Sequence, residues 1–494
     1  GETSFDGVIN PECMPATPTY DDALVSACGQ GELNITADGA LFLRDDPTPA
    51  NMDNGPSYVF VEEFNVLGGT LIYELDGGTA GDQPIGTYPQ VFANVANIDG
   101  DLVARLVTAN GLVEDEYFWN NVIDANTRNG QFDTCTLEGF EDSALVNFGC
   151  TYEDGNVDLG LTRTAFDDVP GLNQNGTSVA EGLECLYDPD ATGPLSGIIA
   201  EILTMNEEEL FSAYNQLAGA AYASYLQSFS SLGVHYNDIL DRATNCEVPA
   251  LAGSVLECRA NPIHLWGQLD FQNRHSDGDQ EAGFYDADRW SMLIGVDASI
   301  GNAAIVGVSL GRVTNKLDFE DYEAHAKADG YQVGLYGVYD PGSFYVKGIG
   351  TYSRFDGDME REIDFTPLGG AFNAQQNGDP DVTMWTLGAH FGARFAMGAS
   401  SAITPYLNVD YVNIEMEGFI EDGVVPLTAA VPTGAELQFG DANEDRTTLT
   451  AGVKWAGDVG WAVPELNLGY RHQFSDTRSL FNANFAQLLE DSDF

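Results

Sequence analysis

From residue 263 to about 475, apolar and polar positions alternate with a period of two, segment after segment. In 382–396, Trp385, Leu387, Ala389, Phe391, Ala393 and Phe395 share one face, and Thr386, Gly388, His390, Gly392 and Arg394 share the other. The same alternation runs through 289–297, 404–412, 447–455 and 465–474, and again near 263–272, 303–312, 331–339 and 343–352. Successive strand side chains point to opposite faces, so each segment reads as a strand with one apolar and one polar face. About nine such strands are expected. A soluble sandwich alternates as well. Two features favour a membrane barrel: aromatics near strand ends on the apolar face (Trp290, Trp385, Trp455), and connections that are short at 301–302 and 340–342 but long at 355–381 and 415–444. Aromatic girdles, with short turns on one side and long loops on the other, mark outer-membrane barrels.

Upstream the period changes. Residues 178–243 read as helical, with a turn at Gly193-Pro194 and then Leu195–Met205. Asn206 is placed as an N-cap before Glu207, Glu208 and Glu209, whose charge suits a helix N-terminus. An apolar stripe follows at Phe211, Ala218, Tyr222, Tyr225, Phe229, Leu232, Tyr236 and Leu240. Uninterrupted from 207 to 243, this helix would be roughly 55 Å long. Its small residues, from Ala218 to Ser224, make it slim, which suits close packing in a bundle or passage through a narrow pore.

Residues 1–170 read as short strands between Gly, Asp and Asn turns: Glu32–Ala37, Ser57–Glu63, Gly68–Leu75, Thr87–Val95 and Leu102–Thr108. This texture suits a β-solenoid or a sandwich, and no clean repeat of 20–25 residues decides between them. The expected organisation is therefore a β-rich part over 1–170, a helical linker over 171–260 and a strand-rich part over 261–494.

Composition narrows the function classes. The 494 residues carry 19 Lys and Arg against 77 Asp and Glu, a net charge of −58. That excludes nucleic acid as a main partner, because phosphate binding needs clustered cations. The first lysine is Lys316. No EF-hand loop or glycine-aspartate nonapeptide array accompanies the acidity, so a solvated acidic surface is preferred to a calcium site. Hydrophobic residues make up 44% of the chain, which argues against disorder from end to end. No run of about 18 apolar residues predicts a transmembrane helix, which leaves a barrel open. The chain starts at Gly1 with no leader-like segment, and is read as a fragment or a processed product.

Seven cysteines fall mostly in close pairs: Cys13 with Cys28, Cys135 with Cys150, and Cys246 with Cys258, leaving Cys185 over. Disulfides are preferred to buried thiols, with Cys246–Cys258 the favoured pair, which fits an exported protein. No CxxC pair suggests zinc or redox chemistry. The chain also lacks HExxH, GxSxG, a P-loop and a dinucleotide fingerprint. Its six histidines show no metal-ligand spacing. No enzyme activity, metal or cofactor is expected of it.

The order of parts resembles that of a monomeric autotransporter (type V secretion). The segment Leu217-Ala218-Gly219-Ala220-Ala221-Tyr222-Ala223 is similar to the family's Leu-(Ser)-Gly-Glu-x-x-Ala helix, with Ala220 where Glu is usual. Leu240-Asp241-Arg242 is similar to its arginine-bearing helix end, Leu265-Trp266-Gly267-Gln268 to its first strand, and the run from Gly469 to Asp476 to its Gly-Tyr-Arg-His-x-Phe-x-Asp strand and turn. The likeness covers roughly residues 60–490. It implies a mainly β protein: a β-helix-like passenger stem, linker helices, then an antiparallel transmembrane β-barrel with about nine of twelve strands present. The chain is accordingly expected to lack about three strands. A catalytic passenger, if the protein has one, is expected upstream of Gly1.

The resemblance implies an outer-membrane translocator that exports and anchors its own passenger at the cell surface. The alternative is a surface adhesin in which residues 1–170 are the binding module and the barrel is only an anchor. Implied partners are outer-membrane lipid, barrel-insertion machinery, periplasmic chaperones and an unknown extracellular ligand, around a monomer. The helix expected to thread the pore carries Ala218, Gly219, Tyr222, Tyr225, Phe229 and Arg242. By register, Asp270, Arg289, Asp297, Lys347, His390, Arg394, Asp410, Lys454 and Arg471 fall on the polar face, where a hydrated lumen would place them.

Overall fold

The structure is a computed structural model. It describes residues 2–5, 8–9, 31–37, 39–44, 56–77, 80–85, 87–108, 110–244, 261–276, 284–319, 323–398, 400–424, 433–459, 461, 464–474 and 482–486. Two compact units emerge: Gly1–Tyr214 with Phe365–Phe372, and Asn215–Asp364 with Asn373–Phe494.

In the first unit the principal strands are β1 (Glu32–Thr36), β2 (Ala40–Leu43), β3 (Tyr58–Asp76), β4 (Gln90–Val107), β5 (Glu116–Gly130) and β6 (Thr134–Leu137). They pair in parallel at a nearly constant offset. Tyr58 stands opposite Gln90, Val91 opposite Ile123 and Glu32 opposite Glu63. Parallel, in-register stacking puts like residues above like. Phe60 stacks on Phe92 with ring centroids 4.8 Å apart, and Val59, Val91 and Ile123 are fully buried. An asparagine ladder climbs the stack: Asn65 Nδ2 donates to Asn34 Oδ1 at 2.8 Å, Asn97 to Asn65 at 2.6 Å, and Asn129 to Asn97 at 2.8 Å. The expected segments Ser57–Glu63 and Gly68–Leu75 are the two halves of β3, which turns a corner at Gly68 (φ 74°). Gly100 (φ 142°) marks the matching corner of β4, facing Gly69 across the ladder.

The parallel stack ends in a hairpin, β7 (Val146–Glu153) and β8 (Asn156–Arg163), with β8 antiparallel to β5. Cys135 and Cys150 form a disulfide between β6 and β7. Cys185 is a free, exposed thiol. Cys13, Cys28, Cys246 and Cys258 lie outside the described residues. Arg163 closes the hairpin's end. Its guanidinium meets both Glu184 carboxylate oxygens at 2.8 Å and Asp115 Oδ1 at 2.7 Å, and lies 4.1 Å over the Tyr187 ring. The hydrogen bonds from Arg163 hold the Glu184 carboxyl below its ordinary range.

Four helices follow: α1 (Gln174–Leu186), α2 (Pro194–Ile202), α3 (Glu207–Leu217) and α4 (Ala221–Ala243). Asn206 caps α3, accepting from Glu208 N and Glu209 N at 3.0 and 3.1 Å, while Glu209 Oε2 accepts from Asn206 N at 3.0 Å. This reciprocal pair is a capping box. The helical stripe is not continuous to 243. It breaks at 218–220, where Gly219 adopts φ 61°.

The second unit is built on nine antiparallel strands: β9 (Ile263–Ser276), β10 (Tyr285–Ile300), β11 (Ala304–Phe319), β12 (Ala324–Tyr339), β13 (Phe344–Asp364), β14 (Val382–Ala393), β15 (Ser401–Met416), β16 (Ala442–Gly457) and β17 (Glu465–Gln473). Each pairs with the next in order. Helix α4 lies on one face. Its His235 meets Asp270 of β9 and its Asp238 meets Arg471 of β17. Laid flat, nine strands at about 4.8 Å spacing would put β9 and β17 roughly 38 Å apart. The two helix residues are only one turn apart, so the sheet curls around the helix.

The polarity of this sheet is the reverse of a soluble core. Its outward face bears Leu265 (77% exposed), Ile294, Leu310, Leu335, Trp385 and Leu387, all exposed. Its inward face buries Arg289, Asn315, Lys347, Thr386, His390 and Asp410. The reversal stops at a sharp level. Along β13, outward residues are apolar up to Tyr352 and then become Arg354, Asp356, Asp358, Glu360 and Glu362, while the buried face switches to Phe355, Met359 and Ile363. β10 makes the same switch at Trp290, beyond which Asp288 and Asp286 take the outward positions. The apolar band on β10 runs from Trp290 to Ile300. Ten steps of about 3.4 Å, tilted by about 40°, span roughly 26 Å, close to the lipid-facing height of an outer-membrane barrel. The strands outrun their expected ends because, beyond that level, they continue as an ordinary water-exposed sheet with charge outside.

Candidate functional site

The interior of the curled sheet is filled by α4 and lined by polar side chains. Packing the helix against the wall needs small residues on both sides. At Gly233 of α4 an added Cβ would press on Val412 and Met384, and at Gly334 of β12 on Leu240 of the helix.

Contacts run the length of α4. At its N-terminal end Tyr222 OH donates to Glu421 Oε1 at 3.0 Å and Tyr225 OH to Pro380 O at 3.1 Å. Glu421 is held by Arg361 at 3.1 and 2.7 Å, and Arg361 also donates to Gln216 O at 2.6 Å. Phe229 packs on Phe355, ring centroids 4.8 Å apart. In the middle, Arg289 Nη2 donates to Ser228 O at 2.7 Å and its Nε to Asn315 Oδ1 at 2.9 Å. His235 Nε2 lies 2.7 Å from Asp270 Oδ2. At the C-terminal end Lys347 Nζ lies 2.9 Å from Asp241 Oδ1, and His390 bridges Asp241 and Asp410 at 3.0 Å from each. Asp410 also accepts from Asn237 Nδ2 at 2.9 Å, and Asn237 Oδ1 accepts from Thr386 at 2.8 Å.

Of the residues read from sequence, Asp270, Arg289, Lys347, His390, Asp410 and Arg471 thus meet the helix, Arg471 through Asp238 at 3.3 Å. The other three have partners on the sheet and its turns. Asp297 accepts from Tyr336 OH at 3.1 Å, below a cluster in which Trp266, Tyr336 and Ile349 pack against Leu240. Arg394 makes a bidentate pair with Asp340, at 2.7 and 2.9 Å, and so ties β14 to the short 340–342 turn. Lys454 pairs with Glu465 at 2.8 Å, both partly exposed. On the helix side, Tyr222, Tyr225 and Phe229 face the wall, whereas Ala218 and Gly219 lie in the break. Arg242 is exposed and, among the described residues, donates only to Asp238 O, at 3.2 Å. Its neighbour Asp241 makes the contacts to the wall. Sequence reading missed Asp241, Asn237, His235, Ser228 and Arg361. A signal was present: His235, Asp238 and Asp241 recur every three residues on a helix otherwise striped with aromatics.

Among the described residues no group of three or more His, Cys, Asp or Glu side chains is placed to hold a metal ion. Among the same residues, no helix is long and apolar enough to cross a membrane.

An antiparallel sheet with an apolar outward band, a polar interior and a helix inside it defines an outer-membrane β-barrel of the translocator class. Residues 265–494 match the Autotransporter beta-domain family. They form an outer-membrane translocator domain. The Extracellular serine protease of Serratia marcescens is 22% identical over 372 residues, covering 67% of this chain and 34% of that protein. Outer membrane protein B of Rickettsia japonica is 20% identical over 308 residues, covering 60% of this chain and 18% of that protein. Among solved structures, the translocator domain of the autotransporter NalP from Neisseria meningitidis is similar at 16% identity and a TM-score of 0.40, covering 53% of this chain and 82% of that one. The chain therefore spans less than two fifths of the length of the curated relatives it matches.

Proposed function

We propose that this chain is the membrane-proximal part of a self-exporting surface protein. Residues 261–494 form the barrel, 171–260 the helical linker, and 1–170 a β-helix stem that folds outside the cell. The observation that carries this reading is the course of α4 through the polar interior. Its N-terminal end lies near Pro380 and Glu421, beside the long connections, and its C-terminal end near Lys347 and His390, beside the short turns. Long connections face outward in outer-membrane barrels. The chain before α4 therefore departs on the outer side, as a passenger would.

In this reading Asp270, Arg289, Asp297, Lys347, His390, Arg394, Asp410, Lys454 and Arg471 line a hydrated pore. Polar contacts to Ser228, His235, Asn237, Asp238 and Asp241 hold the helix after an unfolded passenger has slid past. Stacking of β3, β4 and β5 outside would bias that movement outward by burying apolar surface. The translocator works as a monomer with outer-membrane lipid, insertion machinery and periplasmic chaperones as partners, and the stem presents an extracellular ligand site. The translocator part is not catalytic. A relative is named a serine protease; any activity here would reside in a passenger.

The test is protease access. The protein, expressed in a Gram-negative host, is treated with protease on intact cells. Cleavage within residues 1–170, with the barrel retained in the membrane, is expected. Protection of 1–170 until the cells are broken would sink the proposal.

A further inference from the structure

We infer that the outward face of strands β11 to β13 is a binding site for a phosphate-bearing lipid of the outer leaflet. The inference rests on the membrane orientation proposed above. Among the described strand residues, the only Lys or Arg side chains on the outward face are Arg312, Lys316, Lys327 and Arg354. All four lie on these three adjacent strands, in a chain with few cations. Arg312, Tyr331 and Arg354 stand opposite one another in one row, the first beyond the apolar band. Two rows further out, Lys316 stands directly opposite Lys327. Around the rest of the sheet the same level is acidic or neutral: Asp286 and Asp288 on β10, Thr383 on β14, Glu415 on β15 and Asp445 on β16.

Acidic residues share the patch. Lys327 pairs with Asp329 at 2.5 Å and Arg354 with Asp381 at 3.5 Å, and Asp356 and Asp358 lie alongside. Arg312 and Lys316 form no ion pair among the described residues. Like charges directly opposite across a strand pair destabilise it. An anion between Lys316 and Lys327 would remove that cost.

A second, independent feature lies below the cations on the same strands. Outward positions 337, 348 and 350 are glycines, and they leave an apolar depression of about 810 Å³ edged by Val306, Leu335 and Leu387. A Cβ placed at Gly348 would meet nothing within 4 Å. A cationic cluster at the membrane surface selects an anionic headgroup, and an apolar depression beneath it at membrane depth takes an acyl chain. One molecule combines both: a lipid with phosphate on its headgroup.

The experiment uses the full chain, delipidated in detergent, and measures bound lipid by native mass spectrometry. The probes are lipid A, dephosphorylated lipid A and inorganic phosphate. Lipid A is expected to bind at least about tenfold more tightly than its dephosphorylated form. The variant R312Q/K316Q/K327Q/R354Q should lose about tenfold in lipid A affinity, and R312K/R354K should lose little. Gly348→Leu with Gly350→Leu should weaken lipid A and leave phosphate unaffected. Equal binding of lipid A by wild type and the glutamine variant overturns the inference. So does equal affinity for inorganic phosphate, which would mean a bare anion patch. The charge-keeping variant separates lost charge from lost folding. Orientation is read separately, by labelling Ala371→Cys on intact cells in a Cys185→Ser background, with Cys185→Ser alone as the control. Failure to label there would overturn the orientation without touching the lipid result.

Discussion

Asp241, two residues from the end of α4, sits 2.9 Å from the Lys347 ammonium group of β13, inside a wall that leaves Lys347 only 3% exposed. The pair joins the last turn of the helix to the barrel. Lys347→Met would remove the buried cation from a carboxylate that also meets His390. Removing one partner of a fully buried pair costs roughly 3–5 kcal/mol. Asp241 keeps 23% exposure, so about 2–3 kcal/mol is expected. The check is proteolytic release of α4 in urea: D241N/K347M should regain most of the loss, and no difference between single and double variants would discount the pair.

The break before α4 depends on one residue. Gly219 sits at φ 61°, and an added Cβ there would meet Leu437 Cδ1 at 2.7 Å and Phe439 at 3.1 Å. Gly219→Ala should destabilise by at least about 1–2 kcal/mol from the left-handed backbone alone. Gly219→Val should cost more. A melting temperature unchanged by both would mean that the helix runs through 219.

Position within the asparagine ladder sets the cost of losing a rung. Asn97 donates to Asn65 and accepts from Asn129, whereas Asn129 makes only the bond to Asn97 within the ladder. At about 1 kcal/mol per net bond, Asn97→Ala should cost about twice as much as Asn129→Ala. Protease resistance of residues 58–163 in the intact chain reads the difference, and equal losses would remove the ladder as a stabilising element.

Acid should loosen the hairpin end of the first unit. The Glu184 carboxyl is lowered from 4.5 by the Arg163 guanidinium. A depressed carboxyl contributes stability that is complete above its unfolded pKa and is lost as pH falls through the folded one. Stability should therefore hold at neutral pH and decline below about 4.5. Glu184→Gln should be less stable than wild type at pH 7 and should converge with it in acid. Parallel pH profiles for the two would refute the assignment.

The nine barrel strands were legible because period two is a local property, fixed by the pleat and independent of any partner. The same holds for the Asn206 cap, whose oxygen reaches its own helix. The stack of β3, β4 and β5 was not legible as a stack, although its strands were. Its coils recur at offsets near 32 residues, as Tyr58 facing Gln90 shows, and the alternating corner glycines split each long strand into two apparent ones. Parallel pairing has no turn signal to announce it.

Alternation alone said that Trp385 and His390 point opposite ways; it took the aromatic strand ends, the uneven connections and the family resemblance to favour Trp385 as the outward one. Only the curl of the sheet around α4 settles that, because a helix carrying Asn237 and Asp241 can satisfy its buried polar groups solely against the polar face. The choice of Asp241 over Arg242 as the helix's anchor has the same origin. Both occupy the last turn, and the register of helix against wall puts the carboxylate, not the guanidinium, beside Lys347 and His390. The sequence by itself thus determined the strands, the helical linker and the overall order of parts, all set by local spacing. The tertiary structure decided polarity, register and partners, because those depend on which distant surfaces meet.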